Sequence, residues 1–238
     1  MQVTPYNTDQ SKKTQVEDMF DNIAPKYDLL NHVLSMKIDV LWRNNLVKWM
    51  KKDAPQLVLD VATGTGDLAI TVQKGTQANV VGLDLSQQML NVGIEKIKKI
   101  NLSDKISMQK GDAENLAFED NKFDAVSVAF GVRNFENLEK GLAELRRVVK
   151  ENGSVYILEF SKVEGFLAPF YMFYFKNILP QIGKLVSKDN RAYTYLPDSV
   201  NAFPFGEKMK QILLDTGYSK VEYKKLSLGI ATIYKATK

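Results

Sequence analysis

The sequence predicts an α/β fold in which a mostly parallel β-sheet carries helices on both faces. Between residues 56 and 160, short apolar runs alternate with longer stretches of helical periodicity, a pattern typical of parallel sheets. A helical pattern precedes these runs, and two further apolar runs near the C-terminus are separated by Gly229. We therefore expect one domain with an N-terminal helical cap and a C-terminal antiparallel hairpin.

The N-terminal region predicts a disordered lead followed by the cap. Residues 1–13 are polar and lack the apolar core of a signal peptide, so we expect neither export nor fixed structure there. In residues 14–52, apolar side chains such as Val16, Met19, Phe20 and Ile23 recur at spacings of three and four. This spacing indicates two helices, with a break near Pro25.

The central region, residues 56–160, supplies the parallel part of the sheet. Its apolar runs are LVLDVA, NVVGLDL, ISMQKGD, FDAVSVAF and GSVYILEF, and helical stretches such as Gln87–Ile100 and Leu138–Lys150 separate them. After Phe160 the alternation stops. We expect residues 161–203 to form a lid, and residues 204–238 to form a C-terminal helix and the hairpin.

The composition excludes several classes of site. The chain of 238 residues has a net charge of +4, one histidine and no cysteine. Disulfides, thiolate or multi-histidine metal sites and a thiol nucleophile are therefore excluded, and we expect no metal. The absence of cysteine suits a cytoplasmic location. Because the lysines are scattered, we expect no nucleic-acid partner.

The stretch VLDVATGTGDLA predicts a cofactor site, because a buried strand leads there through a glycine turn into a helix. Gly64 and Gly66 lie where the backbone can approach a ligand at the carboxyl ends of parallel strands. Asp84 ends the next strand, where a carboxylate can accept hydrogen bonds from both hydroxyls of a ribose. The combination indicates a cofactor that contains adenosine.

Two cofactor classes fit this pattern. The run from Gly64 through Gly66 to Ala69 satisfies the loose dinucleotide fingerprint, so an NAD-dependent dehydrogenase is an alternative. However, the carboxylate of Asp60 would repel a pyrophosphate, and it could instead reach an amino group of S-adenosylmethionine. Asp112 ends the third strand, where it could receive the adenine amino group. The chain also lacks a second substrate domain, so S-adenosylmethionine is favoured.

Several motifs together resemble the ubiquinone/menaquinone biosynthesis C-methyltransferase family, a family of class I S-adenosylmethionine-dependent methyltransferases. The motifs are LDVATGTGDLA, GLDLSQQML, GDAENLAF, FDAVSVAFGVRN and RVVKENGSVYILEFS, with YDLLNHVLSMKIDVLW near the N-terminus. The resemblance covers almost the whole chain and implies a Rossmann-like seven-stranded sheet. Three departures are Asp39 in place of a usual histidine, Ala62 in place of the first glycine of the cofactor loop, and Glu151 and Asn152 in place of a proline-glycine type pair.

The resemblance also implies a reaction and a cofactor site. The family methylates a ring carbon of a prenylated quinol; here the acceptor would be demethylmenaquinol or, alternatively, a ubiquinone-pathway benzoquinol or another hydrophobic phenol. A dehydrogenase and a non-catalytic sensor of an adenosyl ligand stand outside this reaction class. The implied cofactor contacts are Thr63, Asp84, Asp112 and Ala113, and the residues that shape the pocket are Asp60, Gly64, Gly66 and Asp67.

Four residues are candidates for the chemistry on the acceptor. Arg133 and Asn134 follow the fourth strand, so we expect Arg133 to stabilise an oxyanion and Asn134 to orient the ring. The alternative for Arg133 is an ion pair with a surface carboxylate. His32 is a candidate base because its unperturbed pKa lies near neutrality, although a lone histidine is more often structural. Tyr27, one helical turn from Asn31, would roof the site or pack between helices.

An aromatic-rich segment, residues 166–175, is not explained by the cofactor. It reads either as helical core or as an apolar flap that shelters the prenyl tail and touches the bilayer. The second interpretation predicts transient contact of a cytoplasmic protein with the inner face of the membrane. A homodimer is a further open possibility.

Overall fold

The computed structural model describes residues 3–6, 8–35, 37–163 and 191–238, without the side chains of residues 30, 32–34 and 191–194. The predicted flap at residues 166–175, and most of the predicted lid, lie outside these ranges.

A single seven-stranded sheet forms the centre of the molecule, in the strand order β3-β2-β1-β4-β5-β7-β6. The first five strands pair in parallel, and β7 is antiparallel to both β5 and β6. The predicted mostly parallel sheet and its C-terminal hairpin are therefore confirmed. The strands are β1 (Leu57–Val61), β2 (Asn79–Asp84), β3 (Ile106–Lys110), β4 (Phe123–Ala129), β5 (Val149–Phe160), β6 (Lys220–Leu226) and β7 (Ala231–Thr237).

Helices cover both faces of the sheet. Within the described residues they are α1 (Lys12–Ile23), α2 (Tyr27–Leu34), α3 (Ile38–Met50), α4 (Asp67–Thr76), α5 (Gln87–Lys99), α6 (Leu138–Val148), α7 (Arg191–Ala202) and α8 (Glu207–Asp215). No helix in this part of the chain is long and apolar enough to cross a membrane.

The central strands are buried on both faces, which explains their nearly continuous apolar runs. In β1, Leu59 and Val61 belong to one core cluster, whereas Val58 belongs to the cluster on the opposite face. The same division separates Val126 from Ala125 in β4. Alternate side chains of each strand therefore hold a helical layer on each side of the sheet.

The N-terminal cap differs from its prediction in two details. The predicted break at Pro25 is present as a 3-10 turn, Ala24–Lys26, but the second predicted helix is divided into α2 and α3 at Lys37, whose φ is +61°. Helix α1 begins at Lys12, inside the predicted disordered lead, and Ser11 caps it by accepting from the Thr14 N–H. The lead also contacts this helix, because the Tyr6 N–H donates to Gln15 Oε1 at 2.9 Å.

The carboxyl ends of β1 to β5 meet at one edge of the sheet, as parallel pairing requires. The loops that follow these strands therefore lie together. The turn between β6 and β7 lies at the same edge, because Phe160 at the end of β5 pairs with Ala231 at the start of β7.

Candidate active site

A cavity opens at this edge, with about 740 Å³ of empty space that includes open solvent at its mouth. Its walls come from four strand ends and from the cap. The described residues that line it lie at positions 62 and 64 after β1, at 83–86 from the end of β2, at 111–114 after β3, at 129–131 and 134–136 after β4, on α1 and α5, and at Tyr27.

The turn after β1 has the backbone conformation that its glycines predict. Gly64 and Gly66 have φ values of +56° and +81°, and Ala62, where the family usually has glycine, also has a positive φ of +52°. A left-handed backbone conformation at an alanine costs roughly 1–2 kcal/mol. Other contacts must therefore hold this turn against the conformational preference of Ala62. One restraint is the Thr63 N–H, which donates to the carbonyl oxygen of Leu83 at 3.0 Å.

Asp84 lies at the end of β2 and lines the cavity. Its Oδ2 accepts from the Gly64 N–H at 2.7 Å and its Oδ1 from the Ser86 N–H at 2.9 Å. Burial raises the pKa of this carboxyl to about 6. A carboxylate has about four acceptor positions, so Asp84 fixes the turn and keeps capacity for two ligand hydroxyls.

Asp60 lies behind the turn rather than among the lining residues. Its two oxygens accept from the hydroxyls of Thr63 and Ser127, both at 2.6 Å. Burial also raises its pKa to about 6. The structure therefore gives Asp60 and Thr63 the task of shaping the turn, and neither side chain is among those that line the cavity.

Asp112 and Ala113 line the cavity after β3, and their contact with a cofactor stays a prediction. Asp112 Oδ1 accepts from the Glu114 N–H at 2.9 Å, which leaves its other oxygen for a partner. That partner is Lys13 of α1, whose Nζ lies 2.6 Å from Asp112 Oδ2. This hydrogen bond raises the pKa of Lys13.

Gly66 is the N-cap of α4 and Asp67 is its first residue, and neither lines the cavity. Asp67 binds Lys96 at 2.7 Å and Arg43 at 3.1 Å, and Arg43 also binds Asp39 at 2.5 Å. Asp39, the residue in place of the family histidine, accepts as well from the Ser35 hydroxyl. These buried and half-buried charges fasten the cap to α4 and α5, and they give Asp39 a structural role away from the cavity.

Tyr27 and Asn134 both line the cavity. A Cβ placed on Gly64 would lie 3.8 Å from Tyr27 Cε1, so the tyrosine ring covers the glycine turn. Burial raises the pKa of Tyr27. Asn134 is buried, and its Oδ1 accepts from the Tyr195 hydroxyl at 3.1 Å.

The guanidinium of Arg133 is not among the groups that line the cavity. Its Nη1 lies 2.8 Å from Glu159 Oε1 and also donates to the carbonyl oxygen of Phe130, and its charge lies over the Phe160 ring. The expected alternative was a surface carboxylate, but Glu159 is completely buried. Within the described part of the chain, Arg133 Nε is a buried side-chain donor that lacks a hydrogen-bond partner.

Two sequence-predicted features fall outside what the structure describes. His32 lies on α2, but its side chain is among those not described, so its role as a base stays a prediction. The aromatic flap likewise lies in the undescribed segment. Among the described residues, no group of three or more histidine, aspartate or glutamate side chains could hold a metal ion.

Helix α1 contributes most of what the sequence analysis missed. Lys12 Nζ donates to the carbonyl oxygens of Arg133 and Phe135, at 3.0 and 2.8 Å, and burial lowers its pKa to about 8. Asp21, near the other end of the helix, accepts from the Ser86 hydroxyl and the Gln88 N–H. The helix is thus fastened across three strand ends, although its periodicity predicted only an amphipathic helix.

The charge of the cavity discriminates between the two cofactor classes. Among the described residues that line it, five are acidic and one is basic. An acidic lining favours a ligand that carries positive charge and opposes a pyrophosphate. The acidic residues are Glu17, Asp84, Asp112, Glu114 and Glu136, and the basic one is Lys13.

Known proteins with similar sequences agree with this interpretation. Demethylmenaquinone methyltransferase of Bacteroides fragilis is 50% identical over 99% of this chain and 97% of its own. A protein of Geotalea daltonii named ubiquinone/menaquinone biosynthesis C-methyltransferase UbiE is 42% identical over 95% of this chain and 97% of its own.

A solved structure shares the fold. A Thermotoga maritima protein, described as a SAM-dependent methyltransferase and possible histamine N-methyltransferase, matches with a TM-score of 0.65 at 17% identity, over 93% of this chain and 99% of its own.

The model of the ubiE/COQ5 methyltransferase family matches residues 8–238 of this chain. The chain therefore belongs to the ubiE/COQ5 methyltransferase family.

Proposed function

We propose that this protein transfers the methyl group of S-adenosylmethionine to a ring carbon of demethylmenaquinol and forms menaquinol. The observation that carries the proposal is the acidic cavity at the carboxyl edge of the sheet, in which Asp84 stands beside the glycine turn. The choice of demethylmenaquinol as the acceptor is supported by the name of the Bacteroides fragilis relative, demethylmenaquinone methyltransferase.

The residues of the cavity fit S-adenosylmethionine. Asp84 has the acceptor capacity for two ribose hydroxyls, and Asp112 with the Ala113 N–H can serve the polar edge of adenine. The other carboxylates suit a ligand with a positively charged sulfur and an amino group. When bound, S-adenosylmethionine supplies an electrophilic methyl group, so the protein chiefly has to align a nucleophile and exclude water.

The acceptor side is formed by residues that follow β4 and by the cap. A ring carbon becomes nucleophilic when the neighbouring hydroxyl loses its proton, so a donor that stabilises the resulting oxyanion lowers the barrier. We assign this role to Arg133 acting through a water or through its charge, because its guanidinium does not line the cavity, although its Nε is buried without a partner in the described chain. Tyr27 and Asn134, which line the cavity, hold the ring in place.

A direct assay tests the proposal. Purified protein, S-adenosylmethionine carrying a labelled methyl group and reduced demethylmenaquinone are expected to yield labelled menaquinone and S-adenosylhomocysteine in equal amounts. If S-adenosylhomocysteine binds but no labelled quinone forms, the protein would instead be a non-catalytic sensor of an adenosyl ligand.

The ubiquinone-pathway benzoquinol is the second candidate acceptor, because the Geotalea daltonii relative is named for both quinones. The same assay with equal concentrations of the two quinols separates the candidates. We expect demethylmenaquinol to give the higher kcat/KM, and a preference for the benzoquinol would reverse the assignment.

The pKa of Asp84 predicts how cofactor binding depends on pH. Hydroxyl donors bind the ionised carboxylate more strongly than the protonated one, and burial places its pKa at about 6. Affinity for S-adenosylhomocysteine is therefore expected to be constant above pH 7 and to fall about tenfold by pH 5. Calorimetric titration measures this change, and a binding constant that is unchanged at pH 5 would show that the charge is not used.

A base role for His32 has its own test. If its imidazole removes the proton from the acceptor hydroxyl, the change His32→Ala should lower kcat about 100-fold and abolish the acid limb of the pH profile near neutrality. His32→Gln keeps a polar group of similar size and serves as the matched control for structure. A rate that matches the wild type across the pH range would exclude the base role.

A further inference from the structure

A polar cluster at the start of α2 joins the cap to the glycine turn. Both oxygens of Asp28 accept hydrogen bonds, Oδ1 from the Thr65 hydroxyl at 2.5 Å and Oδ2 from Lys96 Nζ at 2.6 Å. Thr65 is buried between Gly64 and Gly66, and Lys96 lies on α5. These two partners are 37 and 68 positions from Asp28 along the chain. Three separate parts of the chain therefore meet at one carboxylate.

The hydrogen bonds of this cluster form a closed ring. An ammonium group has three N–H donors, and Lys96 Nζ reaches Asp28, the Thr65 hydroxyl at 3.1 Å and Asp67 Oδ1 at 2.7 Å. The Thr65 hydroxyl donates to Asp28 and accepts from Lys96. An isolated ion pair at a surface contributes little to stability. A network in which half-buried charges share a buried hydroxyl instead fixes one geometry.

Asp28 directly follows Tyr27, whose ring covers the glycine turn. Consecutive side chains of an α-helix are about 100° apart, so Asp28 can bind Thr65 and α5 while the Tyr27 ring lies over Gly64. The ring also makes an edge contact with Phe20, at 5.9 Å between centroids, and both rings line the cavity. Because Tyr27 and Asp28 share the first turn of α2, the hydrogen bonds of Asp28 determine where the Tyr27 ring lies.

We propose that Asp28 is a positioning residue for methyl transfer, which holds Tyr27 over the glycine turn through Thr65 and Lys96. The proposal rests on the proposed function, in which Tyr27 holds the acceptor ring. The acceptor carbon has to lie in line with the methyl group, and a displacement of about 1 Å can slow an aligned reaction about 100-fold. Because Asp28 is bound to the turn itself, the residue that holds the acceptor follows the segment that carries the cofactor.

The kinetics of variants test this role. Asp28→Ala should lower kcat about 30-fold, whereas the Kd of S-adenosylhomocysteine should stay within about threefold of the wild type, because Asp28 does not line the cavity. Thr65→Val removes the same hydrogen bond from the other side and should slow the enzyme similarly. Thr65→Ser keeps the hydroxyl and should retain the wild-type rate. Asp18→Ala removes an exposed carboxylate from α1 and is the matched control.

The double variant of Tyr27→Ala with Asp28→Ala distinguishes positioning from a general loss of structure. If Asp28 acts through Tyr27, the double variant should be no slower than Tyr27→Ala alone. Independent effects would multiply, so a double variant about 30-fold slower than Tyr27→Ala would overturn the proposal. A wild-type kcat in both Asp28→Ala and Thr65→Val would overturn it as well.

Hydrogen exchange measures how firmly α2 is held without any methyl transfer. In the complex with S-adenosylhomocysteine, the amides of residues 27–34 should exchange about tenfold faster in Asp28→Ala than in the wild type, whereas those of residues 67–76 should not change. Equal exchange of α2 in the two proteins would refute the positioning role. If the wild type transfers no methyl group but exchange of α2 still depends on Asp28, only the proposed function would fail.

Discussion

Replacing Asp84 by asparagine is expected to weaken binding of S-adenosylhomocysteine about 100-fold, which corresponds to about 3 kcal/mol. Two charge-assisted hydrogen bonds to a ribose would be reduced, and each contributes roughly 1.5–3 kcal/mol. An asparagine also has one acceptor oxygen for the two backbone N–H groups of Gly64 and Ser86 that the carboxylate now satisfies. Isothermal titration of the variant measures the loss, and the pH dependence of binding should flatten in the same variant.

Asp104→Asn is the matched control, because this exposed carboxylate lies in the loop between α5 and β3, away from the cavity lining. It should bind S-adenosylhomocysteine as the wild type does. If Asp84→Asn also bound with wild-type affinity while folded, the cofactor would not use the end of β2, and the site assignment would fail.

The change Arg133→Leu is expected to lower kcat by about 100-fold, the lower end of the effect of removing an oxyanion donor, because the guanidinium acts without lining the cavity. It should also reduce the free energy of unfolding by about 3–5 kcal/mol, because Glu159 would keep a buried charge without its partner. The affinity for S-adenosylhomocysteine should stay within about threefold of the wild type, since the guanidinium is not among the lining groups. Stopped assays under saturating cofactor, with denaturant titration, measure the two effects separately.

The double variant Arg133→Leu with Glu159→Leu separates catalysis from stability. Removing both charges should restore most of the free energy of unfolding, because a buried ion pair is often replaced by apolar side chains at little cost. The double variant should nevertheless remain slow. Recovery of the wild-type rate together with stability would show that Arg133 serves only the fold.

The sequence predicted the parts of the site that follow from strand ends and glycine turns. Asp84 and Asp112 could be placed at one edge because the carboxyl ends of parallel strands meet there, and both line the cavity. Asp60 also ends a strand, but its oxygens turn to Thr63 and Ser127. A period-two pattern assigns the face of a side chain, and it does not reveal which neighbouring hydroxyls will bind a carboxylate.

Long-range partners were beyond the reach of the sequence. The ion pair between Arg133 and Glu159 joins the turn after β4 to β5 through side chains 26 positions apart, and the contact of Lys13 with Asp112 spans 99 positions. Each depends on where a helix or strand packs, not on local periodicity. The sequence shows that Asp39 replaces the usual histidine of the family. Its structural role became clear only from its hydrogen bonds with Arg43 and Ser35.

The fastening of α1 has a consequence for the turnover cycle. Lys12, Lys13 and Asp21 tie this helix to residues that follow β4, β3 and β2, and the cavity lies beneath it. Release of the spent cofactor by movement of this helix would break the ion pair between Lys13 and Asp112 and the hydrogen bonds of Lys12 and Asp21. The residence time of the cofactor, rather than the methylation step, would then set the pace of turnover.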